Sequence, residues 1–285
     1  MKTKPFLLHA LSPLHAGTGQ AVGVIDLPIA RLKATGIPYL PGSSIKGVLR
    51  DSQLPGEDVL AAFGPEPRKE PDNQHAGAIA FTDARLLLLP VRSLRGTFAW
   101  VTSPLLLRLA LEDLPALSSG PAGLGASQVC VSNNSPLLHG GKVYLEEIDL
   151  TRNNAGTGAV TALGTDLTQR LFGQADPLFQ ERLAVVDDET MTFLWETATQ
   201  IDARNRIDRT TGIVADGQLW YEESLPAESV LIGLAAATKS RREGHDGWTP
   251  ERFLETFVKA RGDLQFGGKS TIGRGRMRLI PQEMR

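Results

Sequence analysis

Hydrophobic positions along the chain fall into short runs bounded by Gly and Pro and into longer stretches at helical spacing. The stretch from Leu7 to Leu14 mixes apolar with small polar residues and predicts a strand, closed by the turn sequence Ala16-Gly17-Thr18-Gly19. Behind Ser43 and Ser44, either of which suits an N-cap, Ile45, Val48 and Leu49 recur at a helical period, so a helix starts there. Gly56 to Phe63 predicts a second short helix, and Ala78 to Leu89 with Thr97 to Val101 a pair of strands. Pro104 opens a helix over Leu105 to Leu114 that is apolar at most positions, as expected of one packed on a sheet, and Lys142 to Leu150 predicts another strand. Strand, helix, strand, strand, helix, strand is the ferredoxin-like, or RRM-like, order of an α+β fold.

The second half is less regular. Thr192 to Thr199 predicts a strand, followed by a polar arm from Gln200 that carries Arg204, Arg206 and Arg209. The chain returns after Thr210-Thr211-Gly212 and an Asp216-Gly217 turn through Leu219 to Leu225, which makes the arm a protruding hairpin. Ser229 to Ala237 is a strong apolar strand, Pro250 to Val258 a helix, and Leu264 to Phe266 and Met277 to Ile280 are short strands around a glycine-rich segment. Residues 115–141 and 151–165, rich in Gly, Ser, Asn and Pro, predict loops. The expected organisation is one domain, with a palm core over about 1–150 and 228–285, an arm over about 200–226 and insertions over about 115–141 and 151–190.

Composition narrows the class. Hydrophobic residues at 41% and charged residues at 22% exclude a disordered or fibrous chain. The single cysteine, Cys130, excludes an internal disulfide and a multi-thiolate zinc site and fits a reducing cytoplasm. The longest apolar runs, 86–91 and 230–237, are too short to cross a bilayer, and Pro5, His9 and Pro13 interrupt the N-terminal stretch before any signal-peptide pattern forms. No membrane role is expected.

The net charge of −2 is uneven along the chain. Residues 1–50 hold six Lys and Arg against the single acid Asp26, or +5; residues 257–285 hold seven against Asp263 and Glu283, again +5. The middle carries −12. If the two ends meet in the fold, they make a basic surface suited to a polyanion.

Two nucleotide motifs fail on inspection. Gly268-Lys269-Ser270 resembles the end of a P-loop, but Asp263 stands where its opening glycine should be, and the alternation from Arg276 to Ile280 predicts a strand where a helix is needed. Gly17, Gly19 and Gly23 are spaced one residue too wide for a dinucleotide fingerprint, and Pro28 follows where a helix should open. His9, His15, His75, His139 and His245 show no metal-ligand spacing, which disfavours a small-molecule metallohydrolase. There remain glycine-rich loops interleaved with cations: four glycines and three cations lie between Gly267 and Arg276, and Pro41 to Lys46 offers a helix start, two hydroxyls and an ammonium. Glycine admits a phosphate close to backbone N–H groups and Lys or Arg neutralises it without reading bases. Aromatics at 6% argue against a broad stacking platform.

These residues also carry a resemblance. His15-Ala16-Gly17-Thr18-Gly19, Ile25-Asp26-Leu27-Pro28-Ile29-Ala30-Arg31 and Ile37 to Arg50 resemble the opening signature of the RAMP superfamily. Gly267 to Gly275 resembles its C-terminal glycine-rich loop, and with Leu219 to Pro226 the chain is most similar to the repeated backbone subunit of type III-B CRISPR (Cmr) effector complexes. The type III-A backbone subunit shares the fold and role. The resemblance implies a ferredoxin-like palm with a hairpin thumb. Copies of the chain would stack along a crRNA with other Cmr subunits, each thumb interrupting the pairing with a single-stranded target RNA. It places Ser43, Ser44, Lys46, Gly268, Lys269 and Arg274 at guide phosphates, with Gly17, Gly19, Arg50, Gly267, Thr271, Arg204, Arg206 and Arg209 as further RNA-facing candidates.

Asp26 matches the acid required for target cleavage. The implied chemistry is attack by the RNA's own 2'-hydroxyl, assisted by Mg²⁺ or Mn²⁺ held by Asp26. His15 is an acid or base by type, or else a shaper of its loop or an RNA contact; Glu222 and Glu223 are candidates to assist from the thumb base. Read from the residues alone, Asp26 can instead stabilise its own turn through an Asx bond, and the chain can be a non-catalytic RNA scaffold.

Overall fold

The computed structural model describes residues 1–19, 24–65, 75–208, 210, 212–245 and 247–283, with the backbone alone at 216, 217 and 263. Arg209 lies outside the described residues. The chain runs β1 (Lys2–Ala10), β2 (Tyr39–Leu40), α1 (Gly42–Asp51), α2 (Glu57–Phe63), β3 (Ile79–Phe81), β4 (Ala84–Arg92), β5 (Phe98–Thr102) and α3 (Pro104–Asp113). It continues through β6 (Gln128–Val131), β7 (Leu138–His139), β8 (Lys142–Leu145), β9 (Ile148–Arg152), α4 (Thr157–Phe172), α5 (Pro177–Arg182), β10 (Leu183–Val186) and α6 (Asp188–Thr197). There follow β11 (Gln200–Ile207), β12 (Val214–Ser224), β13 (Val230–Ala237), α7 (Pro250–Phe257), β14 (Arg261–Gln265) and β15 (Arg276–Pro281).

One sheet in the order β14-β15-β1-β13-β4-β5-β10-β6-β9-β8-β7 organises the molecule. Within it β15-β1-β13-β4 is an antiparallel ferredoxin-like sheet of order 4-1-3-2, with α1 and α7 as its two crossover helices. The fold class expected from the sequence is present, but its six elements are not the first six. Half of them come from residues 230–281, while β5 to β10 extend the sheet beyond β4.

Helices cover both faces of this sheet, which is why its central strands read as continuous apolar runs. Phe6, Leu8 and Ala10 of β1 join the core under α1, α2, α6 and α7, including Ile45, Phe63, Trp195 and Phe253. Leu7 points the other way, into the core of Trp100, Leu107, Leu163 and Phe179 under α3, α4 and α5. Because β1 lies between β13 and β15, the two basic ends of the chain are adjacent in the sheet.

Four local expectations are corrected. Thr192 to Thr199 is not a strand but most of α6: the Asp187 carboxylate accepts from the Thr190 N–H at 3.0 Å as N-cap, and Met191, Leu194 and Trp195 are buried at helical spacing. Cap and period outweigh the β-propensity of Thr, Phe and Trp. Residues 157–165, expected as loop, open α4, whose Val160, Leu163, Leu167 and Leu171 form an inward stripe that the glycines and threonines between them disguise. Lys142 to Leu150 is two strands folded on a turn at Glu146, and the arm does not turn at Asp216-Gly217, which belong to β12; its strands already meet at the Asp208 N–H to Ile213 carbonyl bond.

Candidate functional site

Three segments distant in sequence meet at the base of the β11–β12 hairpin. Leu14 and Leu225 exchange backbone hydrogen bonds at 2.8 and 2.9 Å, the Gly268 N–H donates to the His15 carbonyl at 2.9 Å, and the Gly275 N–H donates to Pro13 at 2.8 Å. The segment after Asp26 lies along β12 as a short parallel bridge: the Leu27 N–H donates to Tyr221 at 3.1 Å, and the Glu223 N–H to Leu27 at 3.0 Å. The motif glycines make this convergence possible. A methyl on Gly17 would stand 2.5 Å from His15 Nε2, and methyls on Gly267 (φ 72°) and Gly275 (φ 78°) would overlap the carbonyl oxygens of His15 and Phe266. Close approach is therefore the role of these glycines, and here it is loop against loop; Gly267 itself is exposed. Gly19 (φ 96°) and Gly268 are exposed, with only the latter near the His15 ring.

Asp26 is half-buried, and its Oδ2 accepts from the Tyr221 N–H at 2.7 Å. The turn-stabilising alternative is thus replaced by a bond to another segment, one that fixes the carboxylate against the hairpin. Asp26 Oδ1 has no partner among the described residues.

Glu222 faces the C-terminal loop. Its Oε1 accepts from Lys269 Nζ and Trp220 Nε1, both at 2.7 Å, and Arg204 Nε lies 3.5 Å from Oε2. Burial opposes ionisation of this carboxyl, but the hydrogen bonds from Lys269 and Trp220 and the charges of Lys269 and Arg204 outweigh it and hold the group below its ordinary pKa. Arg274, itself buried, pairs in the same way with Asp202 of β11. Two cations assigned to guide phosphates are therefore bonded to thumb-base carboxylates. Lys269 adopts a left-handed conformation (φ 67°), which keeps its ammonium over the hairpin. Thr271 is exposed in the short turn that follows, and Arg206 is exposed on the arm.

Glu223 and His15 are corrections to the catalytic candidates. Glu223 is 2% exposed; its carboxylate accepts from the Ile29 N–H at 3.0 Å, Arg31 Nη2 at 2.5 Å and Thr199 Oγ1 at 2.9 Å. A carboxylate so enclosed presents no oxygen to a substrate. His15 is equally enclosed: Nδ1 lies 2.6 Å from the Glu223 carbonyl, which can only accept, so Nδ1 carries the proton and the ring pins the loop.

The second cationic feature is α1. Neither Ser43 nor Ser44 is its cap; the helix starts at Gly42, whose N–H donates to Asp83 Oδ1 at 2.9 Å, so both serines lie in the first turn. Lys46 is half-buried with no ion pair or hydrogen bond among the described residues, and burial, then the charge of half-buried Arg50, lowers its pKa. Arg31, Thr199, Asp202, Tyr221 and Trp220 were not singled out as site residues. Arg31 and Trp220 stand inside the quoted motifs, whereas Thr199 and Asp202 carry no sequence signal, since only tertiary contact defines them.

Among the described residues no three His, Cys, Asp or Glu side chains converge on a metal position. One free carboxylate oxygen, at Asp26, is a donor set compatible with Mg²⁺, which keeps several waters and takes one or two carboxylates together with substrate phosphates.

A ferredoxin-like palm bearing a separate hairpin, with a basic glycine-rich C-terminal loop closing on the segment after β1, defines a RAMP-type protein. The chain belongs to the RAMP superfamily, whose sequence profile matches residues 7–278. It is 32% identical to the CRISPR system Cmr endoribonuclease Cmr4 of Pyrococcus furiosus over 97% of this chain and 95% of that protein. The CMR subunit Cmr4 of Saccharolobus solfataricus is 24% identical over the same shares. The crystal structure of oligomeric Cmr4 from Pyrococcus furiosus superposes with a TM-score of 0.74 at 27% identity, covering 99% of both chains. No helix among the described residues is long and apolar enough to cross a membrane.

Proposed function

We propose that the chain is the repeated, guide-binding backbone subunit of a type III-B CRISPR ribonucleoprotein and cleaves target RNA in the assembled complex. The observation that carries this reading is the Asp26 carboxylate, held by the Tyr221 N–H at the hairpin base with its other oxygen unbonded among the described residues, in a chain matched over nearly its full length by a Cmr endoribonuclease. The crRNA lies along the basic palm, against the first turn of α1 with Lys46 and against the loop of Lys269 and Arg274. The hairpin splays a target nucleotide so that its 2'-hydroxyl, losing its proton to solvent, attacks the adjacent phosphorus as the P–O5' bond breaks; the 5'-oxygen takes a proton from solvent, leaving a 2',3'-cyclic phosphate and a 5'-hydroxyl. Asp26 would hold the divalent ion, Mg²⁺ or Mn²⁺, which when bound would supply positive charge where negative charge develops at the phosphorus. His15 and Glu223 keep the Asp26 loop in register, and neighbouring copies complete the groove. The test is reconstitution with crRNA and a complementary target: cleavage at a regular interval is expected, and a complex that binds target without cutting it leaves the scaffold reading.

The α1 contact makes a separate prediction. Lys46→Ala in the assembled subunit should weaken crRNA binding and lower the slope of log affinity against log salt by about 1, the signature of one lost phosphate contact. Because the Lys46 pKa is lowered, the charged form that binds phosphate is lost as pH rises through that lowered value; affinity should fall there, and Lys46→Arg should flatten the fall. Filter-binding titrations against salt and pH measure both. An unchanged slope in Lys46→Ala would remove this residue from the guide interface.

A further inference from the structure

We infer that Glu223 is the positioning residue of the cleavage site, clamping the Asp26 segment to the thumb through Arg31, the Ile29 N–H and Thr199. The inference rests on the proposed cleavage role of Asp26 and assigns Glu223 no contact with RNA.

The geometry distinguishes clamp from catalyst. Backbone pairing of this segment with the hairpin is the single bridge between residue 27 and residues 221 and 223; its other backbone bonds, from the Thr18 N–H to Pro28, from the Ala30 N–H to Ala16 and from the Tyr39 N–H to Ala30, do not reach the thumb. The Glu223 carboxylate extends that bridge by two residues, taking the Ile29 N–H at one oxygen and Arg31 at the other, while Thr199 ties the same carboxylate to the residue before β11. Both strands of the thumb and the segment carrying Asp26 are thereby joined at one buried anion. Arg31 is 25% exposed at its side chain and Glu223 3%, so the pair is shielded from solvent on the carboxylate side, where a charge-assisted bond is strong and geometrically exacting. The main chain of Glu223 adds a further tie, its carbonyl accepting from His15 Nδ1 at 2.6 Å. Adjacent residues then divide the work by the alternation of the strand. Glu222 faces the guide loop through Lys269, and Glu223 faces the cleavage segment through Arg31, so loss of one should not mimic loss of the other.

The test uses complexes assembled with Glu223→Gln, Arg31→Met, the double variant, Thr199→Val and Asp26→Asn. Target affinity and single-turnover cleavage are measured for each. Gln keeps the shape but turns an amide donor toward one of three donors, so cleavage should fall about tenfold with target affinity within about twofold. Arg31→Met should give a similar loss, and the double variant should be no worse than the larger single loss, since both remove one interaction. A full rate in Glu223→Gln, or losses that multiply in the double variant, overturns the clamp. So does a loss in Glu223→Gln that equals that of Asp26→Asn while Arg31→Met cleaves normally, because that pattern belongs to a group acting on RNA directly. Thr199→Val removes only the hydrogen bond from an uncharged donor and should assemble even if Glu223→Gln does not; a few-fold slower cleavage supports the clamp, and the full rate overturns it. If Asp26→Asn itself cleaves normally, the cleavage role of Asp26 has failed and not the clamp.

Discussion

Replacing Asp26 by Asn throughout the assembled complex is expected to slow target-RNA cleavage by about 100- to 1,000-fold while target affinity stays within about twofold. The size follows from removing a charge that acts on the transition state at a cost of several kcal/mol, each 1.4 kcal/mol being about tenfold. The selectivity follows from geometry. Asn retains a carbonyl oxygen that can accept the 2.7 Å hydrogen bond from the Tyr221 N–H, so the segment stays pinned along β12. What Asn lacks is the negative charge and the second anionic oxygen, the one with no partner among the described residues. A loss confined to the rate, measured in single turnover beside equilibrium target binding, assigns the chemistry to this carboxylate. Cleavage that persists at the original rate with binding intact makes the chain a scaffold, and a loss of binding equal to the loss of rate makes Asp26 a structural residue.

The sequence exposed most of this site because its parts are chemically unusual where they stand. Asp26 is the one acid in fifty basic or neutral residues, and the spacing of Gly267, Gly273 and Gly275 marks a loop that needs positive φ at all three. Strands with both faces buried, such as Val230–Ala237, and helices with a proline at their start, such as Pro104–Asp113, were equally legible. Less legible were elements whose identity depends on long-range partners. The ferredoxin-like order read from the first half is completed by β13, α7 and β15, because sheet neighbours are set by burial across the whole chain and not by adjacency in sequence. Glu223 and His15 have the residue types of catalysts and the surroundings of structural pins, a difference that only burial and hydrogen-bond partners reveal. Likewise Lys269 and Arg274 looked like free cations. Their pairing with Glu222 and Asp202 means that, on the proposed reading, guide phosphates would meet cations already oriented, and partly neutralised, by the thumb.

The glycine-rich loop gives the second large effect, and it separates two glycines that look alike in sequence. Gly273 and Gly275 both have positive φ, 80° and 78°. Around Gly273 there is open space, so Gly273→Ala carries only the left-handed backbone penalty of about 1 kcal/mol. A methyl on Gly275 overlaps the Phe266 carbonyl, and relief requires the two strands flanking the loop to part. That movement breaks the bond from the Phe266 N–H to the Gly275 carbonyl at 2.9 Å and the bond from the Gly275 N–H to Pro13 at 2.8 Å, and it draws fully buried Phe266 out of the core. Lost hydrogen bonds, strain and unpacking together should cost about 3 kcal/mol or more. At about 2 °C per kcal/mol for a chain of this size, thermal melting should drop by about 6 °C or more in Gly275→Ala against about 2 °C in Gly273→Ala. The same displacement carries Lys269 and Arg274 away from Glu222 and Asp202, so crRNA affinity should fall steeply in Gly275→Ala and little in Gly273→Ala. Equal melting temperatures for the two variants would mean that the loop yields freely at Gly275, and the close packing of the two basic ends would then not be what shapes the guide-binding surface.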